Sequence, residues 1–571
     1  MAVPGLQKSI DRLLALAATT HARGLLGRYL GCAKKAAKTQ NAVLRAILTA
    51  NADSDFGRGH GFAGIRRYDQ FAHQVPIQTY DDLRPLVNRT LHGDFGALLG
   101  AGQRVVMFAK TSGSTDVPKY VPVTEEFIRQ YRRGWNAFGG KALGDHPEAI
   151  LRSILQTSSP IDDEVSPCGL PCGSISGMLA AAQKGIVRRF YAVPTECARI
   201  ADAPARYYTI MRFAVPRDVS WMVTAGPATQ LALAKCAAEH AQALIKDIGD
   251  GTLTPPGEIS QPLRRRLAEQ LLPDRENARR LGAIADSEGT LLPRQYWRLS
   301  FFANWTAGAM GLHLREFPHF FGDAPVRDIG LLATEGRVTV GLDDGVPYGL
   351  LDAGGAFFEF VEPDASASGT AGARRCHELD IGGEYRVIMT TWAGFYRYDL
   401  GDHVRVHGFV GEAPLLEFLH RGAYVSSVTG EKLTEWQVIR AFEAASAALA
   451  VPPRRFALAP VWAERPFYRL YLESREPLRE VMADAVDAGL ARINIEYNGK
   501  RTSGRLGAIR TIALQPGAFA AFDAERAGRH RMANEQYKPQ CLFTKPGDDA
   551  TLMAAMAPPQ GAEPKPEPAP A

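Results

Sequence analysis

Met107 to Lys119, MFAKTSGSTDVPK, is the stretch on which the reading of this chain turns. An apolar run of strand type breaks into a loop rich in hydroxyls and glycine, and the loop closes on a lysine. Ser112, Ser114 and Thr115 supply hydroxyl donors, Gly113 permits close backbone approach, and Lys119 brings a compact positive charge suited to phosphate oxygens. The spacing G-x-x-x-x-G-K-[ST] does not occur here, so this is not a Walker A loop. Taken alone, the same stretch is equally readable as a polar surface turn after a strand.

Outward from this loop, strand-type runs recur at Arg104 to Phe108, Phe357 to Val361 and Tyr385 to Thr391, separated by long helical stretches such as Pro227 to Ile248. The first 90 residues are largely helical, with Asn41 to Leu48 (NAVLRAIL) on helical spacing. Alternation of this kind predicts an α/β architecture. Beyond about residue 424 the pattern changes to a compact α+β one, with a helix over 478–493 between strands near 467–473 and 508–514. We therefore expect a large domain over 1–424, a small one over 425–548 and a disordered tail over 549–571. The last fifteen residues hold six prolines and almost nothing that could join a core.

Composition narrows the function. With 66 Lys+Arg against 61 Asp+Glu, the net charge of +5 is too small to imply a nucleic-acid partner. No window reaches 18 uninterrupted apolar residues, so no membrane span is expected. Seven scattered cysteines suit a reducing cytoplasm better than a secreted disulfide framework. Cys168 and Cys172 lack a second ligand pair at zinc spacing and are expected to be ordinary thiols.

Two further segments carry chemistry. In Ala333-Thr334-Glu335-Gly336 a carboxylate beside a hydroxyl could hold a magnesium ion between phosphates, or it could be a solvated turn. In Tyr396-Arg397-Tyr398-Asp399-Leu400-Gly401-Asp402, Asp402 could accept hydrogen bonds from both hydroxyls of a ribose, or be a turn aspartate between strands.

The order of the three segments resembles the acyl-adenylate-forming ligases. More closely, the chain resembles the Gretchen Hagen auxin-responsive family of acyl-acid amido synthetases. That resemblance runs through Thr39-Gln40-Asn41, Leu48-Thr49-Ala50-Asn51, Val75 to Leu83, Phe358-Glu359-Phe360, Tyr396-Arg397-Tyr398, Gly430-Glu431-Lys432, Asn494 to Tyr497 with Arg501, and Gln536-Tyr537-Lys538-Pro539.

The resemblance implies a large N-terminal adenylate-forming domain of mixed sheets and helices, a small mobile C-terminal domain hinged near 421–432, and a two-step reaction. A carboxylic acid is adenylated with Mg-ATP, and an amine, typically of an amino acid, displaces AMP. By the same resemblance, Ser112, Gly113, Ser114, Thr115 and Lys119 hold phosphates and Thr334 and Glu335 meet the nucleotide and its Mg2+. Asp402 holds the ribose, Arg421 lies near ribose or phosphates, and Lys538 is the mobile cation reaching the α-phosphate.

The chain departs from the family pattern at Asp116, Val117 and Leu331. Leu331 stands where an aromatic residue is usual, which leaves Tyr396 as the candidate to stack on adenine. Candidates for the acid pocket are Cys172 to Met178 and the aromatic set Phe301, Phe302, Trp305 and Met310. Two other readings stay open: transfer of the acyl group to a thiol acceptor such as coenzyme A or a carrier protein, and a non-catalytic homologue that binds nucleotide or acid.

Overall fold

The computed structural model describes the chain except for residues 1–3, 112–118, 161, 182–187, 308–309, 364–371, 423–424, 452–453, 474–477, 530–538 and 555–571. By its contacts the chain divides into two units, one reaching Leu419 and the other taking the described residues from His420 onward.

The first unit is built on three main sheets with helices packed against them, as the alternating pattern predicts. A four-stranded sheet contains Val105–Thr111 and its antiparallel neighbour Lys119–Thr124, paired Val105↔Thr124 and, after a one-residue shift, from Met107↔Val123 to Thr111↔Lys119. The loop read as phosphate-binding is therefore the connection of a hairpin, and Lys119 is the first residue of the returning strand. A second, parallel sheet runs Ser153–Gln156, Val219–Val223, Phe301–Asn304, Val326–Asp328 across its width. Parallel strands need covering on both faces, and the helices Ala203–Ala214, Pro227–Glu239 and Ala241–Asp250 contribute to one apolar core around it.

The third sheet has seven strands. Phe357–Val361, Glu384–Thr390 and Tyr398–Val410 lie side by side and antiparallel within it. At one point the pairing slips, from Arg386↔His403 to Ile388↔Asp399, so the second strand fits extra residues opposite the first. Gly401 takes a left-handed φ of 74° within this bulge, and Asp402 follows it. Bulges of this kind re-aim side chains next to functional sites.

In the second unit, Phe456–Val461 pairs antiparallel with Phe467–Leu472, which pairs in parallel with Arg510–Ala513. The helices Glu435–Ala448 and Leu478–Ile493 belong to the same unit. The expected helix over 478–493 and its flanking strands are present.

Residues 549–554, expected in the tail, are packed against the second unit's core. Asp549 is buried and accepts the Tyr471 hydroxyl at 2.5 Å, and Ala550–Ala554 is a short helix whose Leu552 sits in the apolar cluster. The proline-rich remainder lies outside the described residues.

Candidate active site

Thr334 and Glu335 are the two turn residues of a tight hairpin between Leu332–Ala333 and Gly336–Arg337, paired Ala333↔Gly336 and Leu332↔Arg337. A two-residue turn is usually solvated, but this one is enclosed: Glu335 is only 4% exposed. A side chain at Gly336 would come within 2.9 Å of the Met389 methyl, so the hairpin lies directly on the strand Glu384–Thr390.

Arg337 anchors the hairpin's other side. Its buried guanidinium donates to the carbonyls of Ile329 at 3.0 Å and Thr339 at 3.2 Å and lies over the rings of Trp135 and Tyr131. Among the described residues the Glu335 carboxylate has neither a hydrogen-bond nor an ion-pair partner.

Tyr80 joins this corner to the hairpin that carries Lys119. The Lys119 ammonium sits 5.3 Å from the Tyr80 ring centroid. The Tyr80 hydroxyl accepts the Tyr120 amide at 2.7 Å and donates to its carbonyl at 3.2 Å, locking the start of the returning strand. Burial raises the Tyr80 phenol above its ordinary value, and the charge of Glu335 adds to the rise, so that carboxylate is close.

The segment carrying Tyr80 also reaches the bulged strand. The Asp399 amide donates to the Gln78 carbonyl at 2.8 Å, and the Gln78 amide donates to that of Arg397 at 3.0 Å. Asp399 pairs with Arg386 at 3.0 Å. Burial raises its carboxyl above the usual range, and the negative charge of the neighbouring Asp402, itself buried, contributes.

The structure thus gathers Lys119, Tyr80 and Glu335 and ties Asp402 to the same segment. Tyr80 was not singled out in the sequence, although it stands inside the Val75 to Leu83 stretch. Ser112, Gly113, Ser114, Thr115 and Lys538 lie outside the described residues. Arg421 ends the strand Ala413–Arg421 and belongs to the second unit.

Tyr396 is a correction. Its ring is fully buried, stacked on Phe56 at 4.7 Å with Phe62 at its edge, and its hydroxyl donates to the Leu98 carbonyl at 2.7 Å. No face of that ring is open to a base. Phe301 and Phe302 are also core rather than pocket: Phe301 stacks on Trp221 and His146, and Phe302 packs on Phe317 and Phe321. Trp305 stays half-buried, its indole N–H donating to the Gly330 carbonyl at 3.0 Å.

Most of the remaining motif residues are structural. Arg397, fully buried with a left-handed φ of 46°, donates to both oxygens of Glu359 at 3.0 and 2.9 Å and to the carbonyls of Ala72 and Val75 at 2.8 Å. Gln40 caps the same strand by accepting the Phe358 amide at 2.7 Å. In the second unit Glu431 is buried and accepts the Tyr468 hydroxyl and the amides of Val428 and Thr429, both at 2.8 Å. Tyr497 and Arg501 both bind Asp487.

Among the described residues, no group of three or more His, Cys, Asp or Glu could hold a metal ion. A lone buried carboxylate without a partner nevertheless fits magnesium, which typically takes one or two protein carboxylates and completes its shell with water and substrate phosphates. None of the seven cysteines is disulfide-bonded, and no described helix is long and apolar enough to cross a membrane.

Comparison with known proteins covers nearly the whole chain. Residues 26–326 match the GH3 family N-terminal domain, 349–421 its central domain and 437–547 its C-terminal domain. A jasmonoyl–L-amino acid synthetase of Nicotiana attenuata is 25% identical over 544 residues, covering 90% of this chain and 92% of that one. An indole-3-acetic acid-amido synthetase of Arabidopsis thaliana is 23% identical over 544 residues, covering 89% of each. The fold matches the solved structure of GH3.15 acyl acid amido synthetase with a TM-score of 0.80 at 19% identity, over 93% of this chain and 96% of that one.

Proposed function

The chain belongs to the GH3 family, and from that premise we propose how its residues divide the work of an acyl-acid amido synthetase. The enzyme is a ligase that forms a C–N bond through an acyl-adenylate made with ATP. In the first step an oxygen of the acid's carboxylate attacks the α-phosphorus, the bond to the β-phosphate bridge breaks, and pyrophosphate leaves. In the second, an amine attacks the acyl carbon, AMP departs with the bonding pair, and the amine gives up a proton. A carboxylate acylates poorly until one of its oxygens becomes part of a good leaving group, and positioning with charge neutralisation supplies most of the rate.

The observation that carries this reading is Glu335, a buried residue at an enclosed hairpin turn whose carboxylate has no partner among the described residues, close to the same Tyr80 that the Lys119 ammonium faces. Glu335, with the Thr334 hydroxyl beside it, would hold Mg2+, which when bound neutralises phosphate charge. Ser112, Gly113, Ser114, Thr115 and Lys119 cradle the phosphates and Asp402 takes the ribose. Arg421 and Lys538 act from the small domain, taken as 425–548 with its hinge near 421–432, and Lys538 approaches the α-phosphate for adenylation. The acceptor is the amine of an amino acid, in keeping with the relatives' substrates, and the site of action is the cytosol, which suits seven unpaired thiols.

Carboxylate-dependent exchange of labelled pyrophosphate into ATP, without amine, across aryl, indolyl and fatty acids tests the first step. Lys119→Ala and Lys538→Ala should each lower exchange at least about tenfold, roughly 1.4 kcal/mol. Unchanged rates in both variants would sink the assignment.

A further inference from the structure

We infer that the first unit carries a second anion-binding site, at the edge of the parallel sheet away from the Glu335 hairpin, built to take a small organic anion. The sheet order places Ser153–Gln156 at one edge and Val326–Asp328 at the other. The Glu335 hairpin follows the latter strand. At the end of the former, Thr157 opens a cavity of about 430 Å³, walled also by the helix Ala203–Ala214 and the segment around Glu196. None of Lys119, Glu335 and Asp402 lines it.

Three arginines, Arg188, Arg206 and Arg217, line this cavity, and Glu196 is the one acidic residue among its lining residues. Two of its polar side chains are deeply buried yet incompletely satisfied. Arg206, 8% exposed, donates from Nη1 to the Ile200 carbonyl at 3.0 Å, but its Nε–H has no acceptor. Thr157, also 8% exposed, has a hydroxyl with no hydrogen-bond partner among the described residues. A buried donor without an acceptor is costly, so a chain that keeps two of them on one cavity wall gains when a ligand oxygen arrives.

The ligand's chemistry follows from the lining. Guanidinium groups recognise planar or tetrahedral oxyanions, so the anionic end is a carboxylate or a phosphoryl group. On the same helix Ile210 and Phe213 stand four and seven residues after Arg206, on the stripe that lines the cavity, and offer an apolar wall. The ligand is therefore an organic anion with an apolar body rather than a bare polyphosphate.

The test is calorimetric titration of the full chain carrying Lys119→Ala, which weakens anion binding at the reaction site, with inorganic phosphate and with benzoate in separate runs at low salt. Saturable binding of one equivalent is expected, and its preference assigns the phosphoryl or the carboxylate source. Arg206→Met should weaken it by at least about tenfold, the worth of a charge-assisted hydrogen bond. Because Arg206 is buried, the isosteric Thr157→Val and the exposed Arg217→Gln provide independent readings. Each should weaken binding about threefold or more while leaving the melting temperature unchanged and, when made in the chain that keeps Lys119, leaving pyrophosphate exchange unchanged. Absence of saturable binding of either anion, or affinity unchanged from the Lys119→Ala parent in both Thr157→Val and Arg217→Gln, overturns the site.

Discussion

Glu359 and Glu335 are both buried glutamates inside motif segments of the first unit, yet their surroundings are opposite. Glu359 is saturated: Arg397 donates to both its oxygens, and Tyr68 adds its hydroxyl at 2.9 Å. Three stretches distant in sequence, those of Val75, Glu359 and Arg397, meet at that junction and complete one another. Glu335 is supported all round, by Arg337 below its hairpin and the Met389 strand beside it, but nothing described answers its carboxylate. A motif residue fully satisfied by its own chain holds the fold, whereas one with no partner among the described residues has a carboxylate to offer a ligand.

The contrast can be broken most forcefully at Glu359. Removing one partner of a buried, hydrogen-bonded ion pair strands the other, so Glu359→Gln should cost about 3–5 kcal/mol in urea unfolding. Glu335→Gln should do the reverse: no lowering of the unfolding midpoint, since no described residue loses a partner, but at least about tenfold slower pyrophosphate exchange. Equal destabilisation by the two substitutions would erase the distinction.

Tyr396→Phe sharpens it at a smaller scale. Loss of the hydroxyl donated to the Leu98 carbonyl should cost about 1 kcal/mol, while the ATP concentration giving half-maximal exchange stays put. A rise in that concentration without loss of stability would return Tyr396 to the nucleotide.

The smallest effect concerns the second unit. Burial pushes the Glu431 carboxyl up, but the Tyr468 hydroxyl and the Val428 and Thr429 amides outweigh it and hold it below the usual range. A depressed carboxyl stabilises the fold above its ordinary pKa and loses that contribution as pH falls through the lowered value. Unfolding followed from about pH 7 down to about pH 3 should show this loss, and Tyr468→Phe should reduce it. An identical acid profile in the variant would exclude the pair as its source.

Much of the architecture was legible beforehand. The strand Phe357–Val361 and the helix Leu478–Ile493 match their expected bounds because alternation and 3.6-residue spacing are local signals. The phosphate segment was legible as strand, loop and lysine, but not as a hairpin with Lys119 opposite Thr111. Tyr396 was misread because an aromatic residue in a strand looks the same whether a ligand or Phe56 covers it. Asp549 reads as tail in the sequence because it is polar and its partner Tyr471 is 78 residues away.

The order of apolar and polar residues by itself determined which segments are strands, helices and turns, and which carry groups able to meet a nucleotide. Only the tertiary structure decided which of those groups remain available, pairing Arg397 with Glu359 and Tyr396 with Phe56 while giving Glu335 no partner among the described residues. Periodicity acts over a few residues and is written in the chain; satisfaction of a buried charge depends on what distant segments bring to it, and that exists only once they have packed.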